Sequence, residues 1–388
     1  MKKHISLLAI ILFIFSNFSY PQNNDQLKGK LQTRLDELQA KYKFPGATFA
    51  LVFKDNNFIR LASGENDMAA KTKMTIDEMM CGGSTGKIFV APVVLQLVNE
   101  KKISLDDKAI KYFEKDEWYK GIPNYDKITI RHLLNHTAGI PEYIIKETFG
   151  KDIVNNPDKV WKPEELLSYI LNKPATNPAG EGWSYADANY IVLGMIIERV
   201  CNNTFYNELD KRILKPMKLA KTIPQNSRKV KGVAQGHSGD SPYLTAPATV
   251  IKDGEFFVNP QFEWTGGGLF TNPIDLASWA KYLWRGDFLP KELNDQMKQA
   301  VSFQTGKPDN TGYGFGLMRF PTQKYGVLYT HGGIMFGYLT EVFYLEKYDI
   351  SFAIQINTDP FSGFFRASLQ QIAMRDLIPF IVENLEQK

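Results

Sequence analysis

The strand-like segments of this chain lie at its two ends, with helical segments between them. Near the start, Ala47–Phe53 is an apolar run, Lys54-Asp55-Asn56-Asn57 a turn, and Phe58–Ala62 a return strand, which together read as a hairpin. Near the end, Tyr325–Thr330, Leu339–Leu345 and Ile350–Ile356 are three short runs rich in β-branched and aromatic residues. Repeated strand–helix–strand units are missing, so a doubly wound parallel sheet is excluded. The simplest packing is one antiparallel sheet drawn from both ends and flanked by helices, with a mostly helical lobe inserted. The fold class is α+β. The sheet lobe is expected at about 20–80 and 265–388, and the helical lobe at about 81–264.

Helical periodicity fills in the rest. Leu27, Leu31, Leu35 and Leu38 recur at helical spacing until Pro45-Gly46. Ser84–Asn99, Pro163–Leu171, Ala188–Val200 and Asp275–Trp284 read as helices. Phe365–Asn384 reads as a terminal helix kinked at Pro379. The polar stretch 142–162 reads as a surface excursion. The stretch 222–262 has weak patterning and suits either a cleft wall or a surface loop.

The first 19 residues differ from the rest. Lys2 and Lys3 precede the apolar run Ile5–Phe15, and Ser16-Asn17-Phe18-Ser19 follows. That is the layout of a secretory leader, and the run is shorter than the roughly 18 apolar residues of a membrane span. A periplasmic or secreted protein is expected, with one domain over 20–388 and no stable membrane span in the mature chain. The whole chain carries 46 basic and 42 acidic residues, so nothing in its charge suggests nucleic acid. Cys81 and Cys201 are too few for a disulfide framework, and their spacing leaves pairing open.

Three segments could carry chemistry. Cys81-Gly82-Gly83-Ser84-Thr85-Gly86-Lys87 resembles a phosphate loop only superficially. Cys81 replaces the first glycine, and Ile88 stands where a hydroxyl should bind magnesium. As Ser-x-x-Lys at a helix start, the same stretch puts Ser84 and Lys87 on one face. A lysine buried near a helix N-terminus is expected to have a lowered pKa and to serve as the serine's base. The Ser84 N–H could stabilise an oxyanion. In the second segment, Trp183–Tyr190, Tyr185 suits a proton relay and Asp187 a lysine partner; a packed tyrosine with Asp187 as N-cap suits the pattern equally. In the third, Thr330–Tyr338, His331 is expected to point into a cleft, with Gly332 and Gly333 allowing close backbone approach to a ligand. His132 and His136 are four apart but lack the acidic partner of a zinc motif. No metal and no cofactor are expected.

In order and spacing, these segments resemble the serine β-lactamase-like hydrolases. That family holds class C β-lactamases, D-alanyl-D-alanine carboxypeptidases, D-aminopeptidases and esterases. Leu133–Ile140 is similar to the family's Leu-Leu-x-His-Thr-Ser-Gly-Leu, Trp264–Leu269 to its Gly-Gly-Leu element, and Ile103–Asp107 to the stretch after the nucleophile helix. The resemblance implies a β-lactamase/transpeptidase-like fold, with Ser84 as acylated nucleophile, Lys87 and Tyr185 as its proton partners, and Ile334 giving the second oxyanion N–H. It implies substrate contacts at Asp187, His331, Gly332 and Gly333. Asp187 replaces the usual Asn and should favour the ammonium form of Lys87, shifting proton transfer toward Tyr185. His331 replaces the lysine of β-lactamases and weakens the anchor for a substrate carboxylate.

The expected activity is amide cleavage in D-amino-acid peptides or cell-wall-type substrates, with a small-molecule or peptide acyl group as the partner. A carboxylesterase, a weak β-lactamase and a non-catalytic binding protein on the same fold are the alternatives.

Overall fold

The computed structural model describes residues 22–387, so the leader-like residues 1–19 lie outside the described residues. Helix α1 (Gln22–Tyr42) turns Leu27, Leu31, Leu35 and Leu38 inward, all buried. Strands β1 (Gly46–Val52) and β2 (Phe58–Asp67) form the expected hairpin, longer on its return side. The chain then leaves the sheet. It passes through α2 (Lys87–Asn99), α3 (Glu147–Asn155) and α4 (Asp187–Cys201), and comes back along α5 (Pro273–Arg285).

The sheet is completed by β3 (Met318–Thr322), β4 (Gly326–Met335), β5 (Tyr338–Leu345) and β6 (Ile350–Ile356). Their order is β3-β4-β5-β6-β1-β2 within a ten-stranded sheet, and each of these pairs is antiparallel. β1 lies beside β6, with Phe49 opposite Ile354. First and last strands therefore meet at mid-sheet. This is the mixed α+β architecture expected, an antiparallel sheet flanked by helices. One face packs on α1 and the C-terminal helices through Phe49, Phe343, Phe352 and Ile378. The other packs on α5 and the larger core that includes α2 and α4.

Three local expectations need correction. The terminal helix is not continuous from Phe365. It runs Leu369–Ile372, widens into a π-type turn at Ala373–Leu377, and resumes as α6 (Ile378–Glu386). Pro379 thus lies inside one uninterrupted helical stretch, directly after the π-type turn, and that widened turn falls where proline cannot donate to the preceding turn. The stretch 142–162 is no surface excursion, because α3 and its flank bury Phe149, Ile153 and Trp161. Asp187 is the first residue of α4 and Ala186 its cap, so Asp187 does not cap the helix. Cys81 and Cys201 are both free. Among the described residues no helix is long and apolar enough to cross a membrane.

One buried acid gives the fold a pH dependence. Glu341 lies opposite Gly332 on β5, and its Oε2 has no hydrogen-bond partner. Burial pushes its carboxyl up to about 8. An acid raised in the folded state favours folding fully below its unfolded pKa, and that contribution is lost as pH rises through the folded value. Glu341→Gln should therefore flatten the fall in Tm between roughly pH 5 and pH 9. A mutant slope equal to the wild-type slope would reject this account.

Candidate active site

The strand Met80–Cys81 delivers the chain to a tight 3₁₀ turn, Gly83–Gly86, and α2 begins at Lys87. Ser84 therefore sits on the turn before the helix rather than on the helix itself. Gly83 has φ +51°, a conformation natural to glycine. A Cβ there would also lie 2.7 Å from Ile334 N. On the facing strand, a Cβ on Gly333 would lie 1.9 Å from Gly82 O and 3.1 Å from Ser84 N. Glycine at both places lets β4 run backbone-to-backbone against the serine turn. Thr340 fixes the same junction by donating to Cys81 O at 3.0 Å.

Lys87 is fully buried, and its Nζ lies 3.0 Å from Ser84 Oγ. It also donates to Asp187 Oδ1 and Gly266 O. Burial pulls the lysine's pKa down, but the Asp187 carboxylate and Tyr185 outweigh it, and the net shift is upward. The lowering expected from helix position is thus overturned, while the ion pair with Asp187 and its push toward the ammonium form are as expected. Tyr185 is half-buried as a residue, and its hydroxyl is enclosed with no hydrogen-bond partner. Lys87 Nζ stands 5.0 Å from its ring centre. Burial raises the phenol's pKa, and the Lys87 charge opposes that rise.

His331 does not point into an open cleft. It is 1% exposed, its Nδ1 meets Gly332 O at 2.7 Å, and its Nε2 meets Tyr313 Oη at 2.8 Å. A carbonyl can only accept, so Nδ1 carries the proton and Nε2 accepts from the Tyr313 hydroxyl. Burial, then the Lys87 charge, lower its pKa to about 3, so the ring is neutral. Gly332 makes room for the Glu341 carboxyl and Gly333 for the serine turn. The close approaches that these glycines permit are made by the protein itself, not by a ligand. Ser84, Lys87, Tyr185, Asp187 and Ile334 are brought together; His331, Gly332 and Gly333 stand behind them.

Residues 31–374 match the Beta-lactamase family model. This chain belongs to the beta-lactamase family. It is a serine-hydrolase-fold enzyme, similar to penicillin-binding proteins and to a D-stereospecific amidohydrolase. "Penicillin-binding protein 4*" of Bacillus subtilis (strain 168) is 25% identical over 319 residues, covering 80% of this chain and 67% of that protein. "Protein flp" of Staphylococcus aureus (strain MRSA252) is 26% identical over 293 residues, 74% of this chain; the chain spans only 55% of its length. Among solved structures, a D-stereospecific amidohydrolase from Streptomyces sp. superposes with TM-score 0.77 at 25% identity, over 91% of this chain and 99% of that one. D-amino acid amidase from Ochrobactrum anthropi SV3 gives TM-score 0.75 at 20% identity, over 93% and 99%, which is a likeness of fold.

In this beta-lactamase-family chain a cavity of about 440 Å³ opens beside Ser84. Phe149 and Ile153 of α3 line it, with Leu244, Phe262 and Phe336. The stretch 222–262, undecided from sequence, thus supplies part of its wall. Four carboxyl groups also border it: Glu142, Asp187, Glu263 and Asp359. Glu142 accepts from the backbone N–H of Tyr143, Ile144 and Asp187 at 2.7, 3.0 and 2.5 Å. Burial, then the neighbouring Asp187, raise Glu142 to about 7 and Glu263 to about 8. Sequence reasoning missed Glu142, Glu263 and Tyr313. It also weighed His136 only as a histidine four residues from His132, without the acidic partner of a zinc motif. His136 is buried against the Tyr185 ring, 4.2 Å between centres, and its Nδ1 meets Ala186 N at 3.3 Å and Asn189 Nδ2 at 3.0 Å.

Proposed function

We propose that this chain hydrolyses amide bonds in D-amino-acid or cell-wall-type substrates through an acyl-enzyme on Ser84. The observation that carries the reading is the Lys87 ammonium 3.0 Å from Ser84 Oγ, with the unpartnered Tyr185 hydroxyl nearby. Both Lys87 and Tyr185 are protonated at rest, because both pKa values are raised. A simple base is therefore absent, and a relay fits better. Tyr185 Oη takes the Ser84 proton as Oγ attacks the carbonyl carbon, and passes its own proton to the leaving nitrogen. Lys87 stabilises the charge that develops on Oγ. The N–H groups of Ser84 and Ile334 hold the carbonyl oxygen. Water then attacks the acyl ester along the same path in reverse. Asp187 keeps Lys87 charged, and Tyr313 and His331 act behind Tyr185 as positioning residues.

The likeness to a D-stereospecific amidohydrolase supports the amide reading. Substrates of this kind place the activity outside the cytoplasm, in the periplasm or the medium. The apolar cavity wall also suits small esters, which keeps a carboxylesterase as the second reading. The test is steady-state hydrolysis of D- and L-phenylalaninamide, a p-nitrophenyl ester and a penicillin. We expect D-amide turnover to exceed L-amide turnover by roughly 10-fold or more in kcat/KM, the low end of what a methylene-sized misfit in a pocket discriminates. Ester turnover with no amide turnover would replace the amidase reading by the esterase one.

A further inference from the structure

Tyr185 lies in irregular backbone, two residues before α4 begins at Asp187. No helix ladder or sheet register fixes its ring, yet a proton relay needs the hydroxyl held within reach of Ser84 Oγ. His136 supplies the missing fixture from both sides of the tyrosine. Its carbonyl accepts from Ser184 N at 3.0 Å, and its Nδ1 accepts from Ala186 N at 3.3 Å. Between these two anchors the Tyr185 ring lies 4.2 Å from the imidazole centre, tilted by 32°. Its contacts with Tyr313, Trp183 and His331 are longer, at 6.0, 6.3 and 6.5 Å.

The fixture is itself held. His136 has φ +61°, an uncommon conformation outside glycine that persists where the surroundings impose it. The Tyr190 hydroxyl of α4 donates to Leu134 O at 2.9 Å, tying the same short segment to the helix. A backbone N–H can only donate, so Nδ1 offers its lone pair to Ala186 and Nε2 carries the ring proton. Asn189 Nδ2, 3.0 Å from the same Nδ1, is a second donor. Burial, then the Lys87 charge, hold the imidazole well below its ordinary pKa, so the acceptor is kept. His136 stands outside the lining of the acyl cavity. We propose that His136 is a positioning residue for acyl transfer, placing the Tyr185 hydroxyl for Ser84 by gripping the backbone on either side of the tyrosine and stacking on its ring. This rests on proton transfer through Tyr185. A residue that acts through Tyr185 alone should govern kcat and leave KM nearly unchanged.

Two measurements test this, one of which needs no turnover. His136→Gly removes the ring and Nδ1 and still suits the positive φ. It should lower kcat by about 100-fold, the scale of a misplacement of about 1 Å, for the p-nitrophenyl ester and the D-amide alike. His136→Asn keeps an acceptor near the place of Nδ1 and tolerates the same backbone, so it should recover a large part of that loss. In a Tyr185→Phe background the His136 changes should cost almost nothing further, because no hydroxyl is left to place. Losses that multiply in full across the two positions, or a loss carried by KM, would make His136 an ordinary structural residue and overturn the proposal. The second measurement follows the fluorine resonance of Tyr185→3-fluorotyrosine. One line is expected with His136 present, and a split or broadened line in His136→Gly. A single line of unchanged width would also overturn the proposal. Should the glycine variant not fold, both readings pass to His136→Asn, with smaller changes expected in the same directions and no change at all counting against the proposal. A disturbed resonance together with full turnover in Tyr185→Phe would reject the tyrosine relay and leave His136 as the residue that sets Tyr185.

Discussion

Replacing Ser84 with alanine should leave a folded chain whose turnover is lower by roughly ten-thousand-fold or more, the loss typical of removing the nucleophile from an acyl-enzyme mechanism. Intact-mass spectrometry should show adducts with a fluorophosphonate and with slow ester substrates on the wild type only. The fold should survive because little structure depends on the hydroxyl. It accepts a hydrogen bond from Lys87, whose ammonium keeps Asp187 and Gly266 O as acceptors. Loss of one such hydrogen bond costs about 1 kcal/mol, small beside the stability of a domain. A mutant that still forms the adduct would move the nucleophile elsewhere. A mutant that fails to fold would make Ser84 a structural residue first.

Much of this site was legible because its key spacing is local. Ser84 and Lys87 are three residues apart at a helix entry, and that spacing by itself brings Nζ to Oγ. The leucines of α1 and the terminal hairpin are local patterns too. What sequence could not show is contact between distant segments. Glu142 meets the N–H of Asp187 across 45 positions, and nothing near Glu142 marks it as a pocket residue. Glu263 reads as an ordinary acid before a glycine run. His331 was misplaced for a related reason. Strand alternation gives the side of the sheet on which a residue lies, but Tyr313 comes from another strand and closes over the ring. The alternating glycines of Gly312-Tyr313-Gly314-Phe315-Gly316 were the available signal for that close packing. Helix position alone pointed to a lowered Lys87 pKa, whereas Asp187 in place of the usual Asn pointed to a raised one; the second holds because a carboxylate in direct contact outweighs both burial and a helix terminus.

That contact leads to the other large effect. Lys87→Met keeps the length of the side chain and deletes its charge. Asp187, buried and paired only with Lys87 through its side chain, would then face Glu142 and Glu263 with no cation between them. Breaking one side of a buried ion pair costs about 3–5 kcal/mol, so Tm should fall clearly. Turnover should fall by roughly a thousand-fold or more, since the charge that stabilises the attacking oxygen is gone. Stability and activity can be separated by a second change. Asp187→Asn in the Lys87→Met background removes the stranded carboxylate, and replacing both members of a buried pair is often close to neutral. The double variant should recover most of the lost Tm and almost none of the lost turnover. Recovery of both would mean that Lys87 serves only to neutralise Asp187, and that the relay through Tyr185 runs without it. Recovery of neither would mean that the bond to Gly266 O, rather than the ion pair, is what Lys87 contributes to the fold.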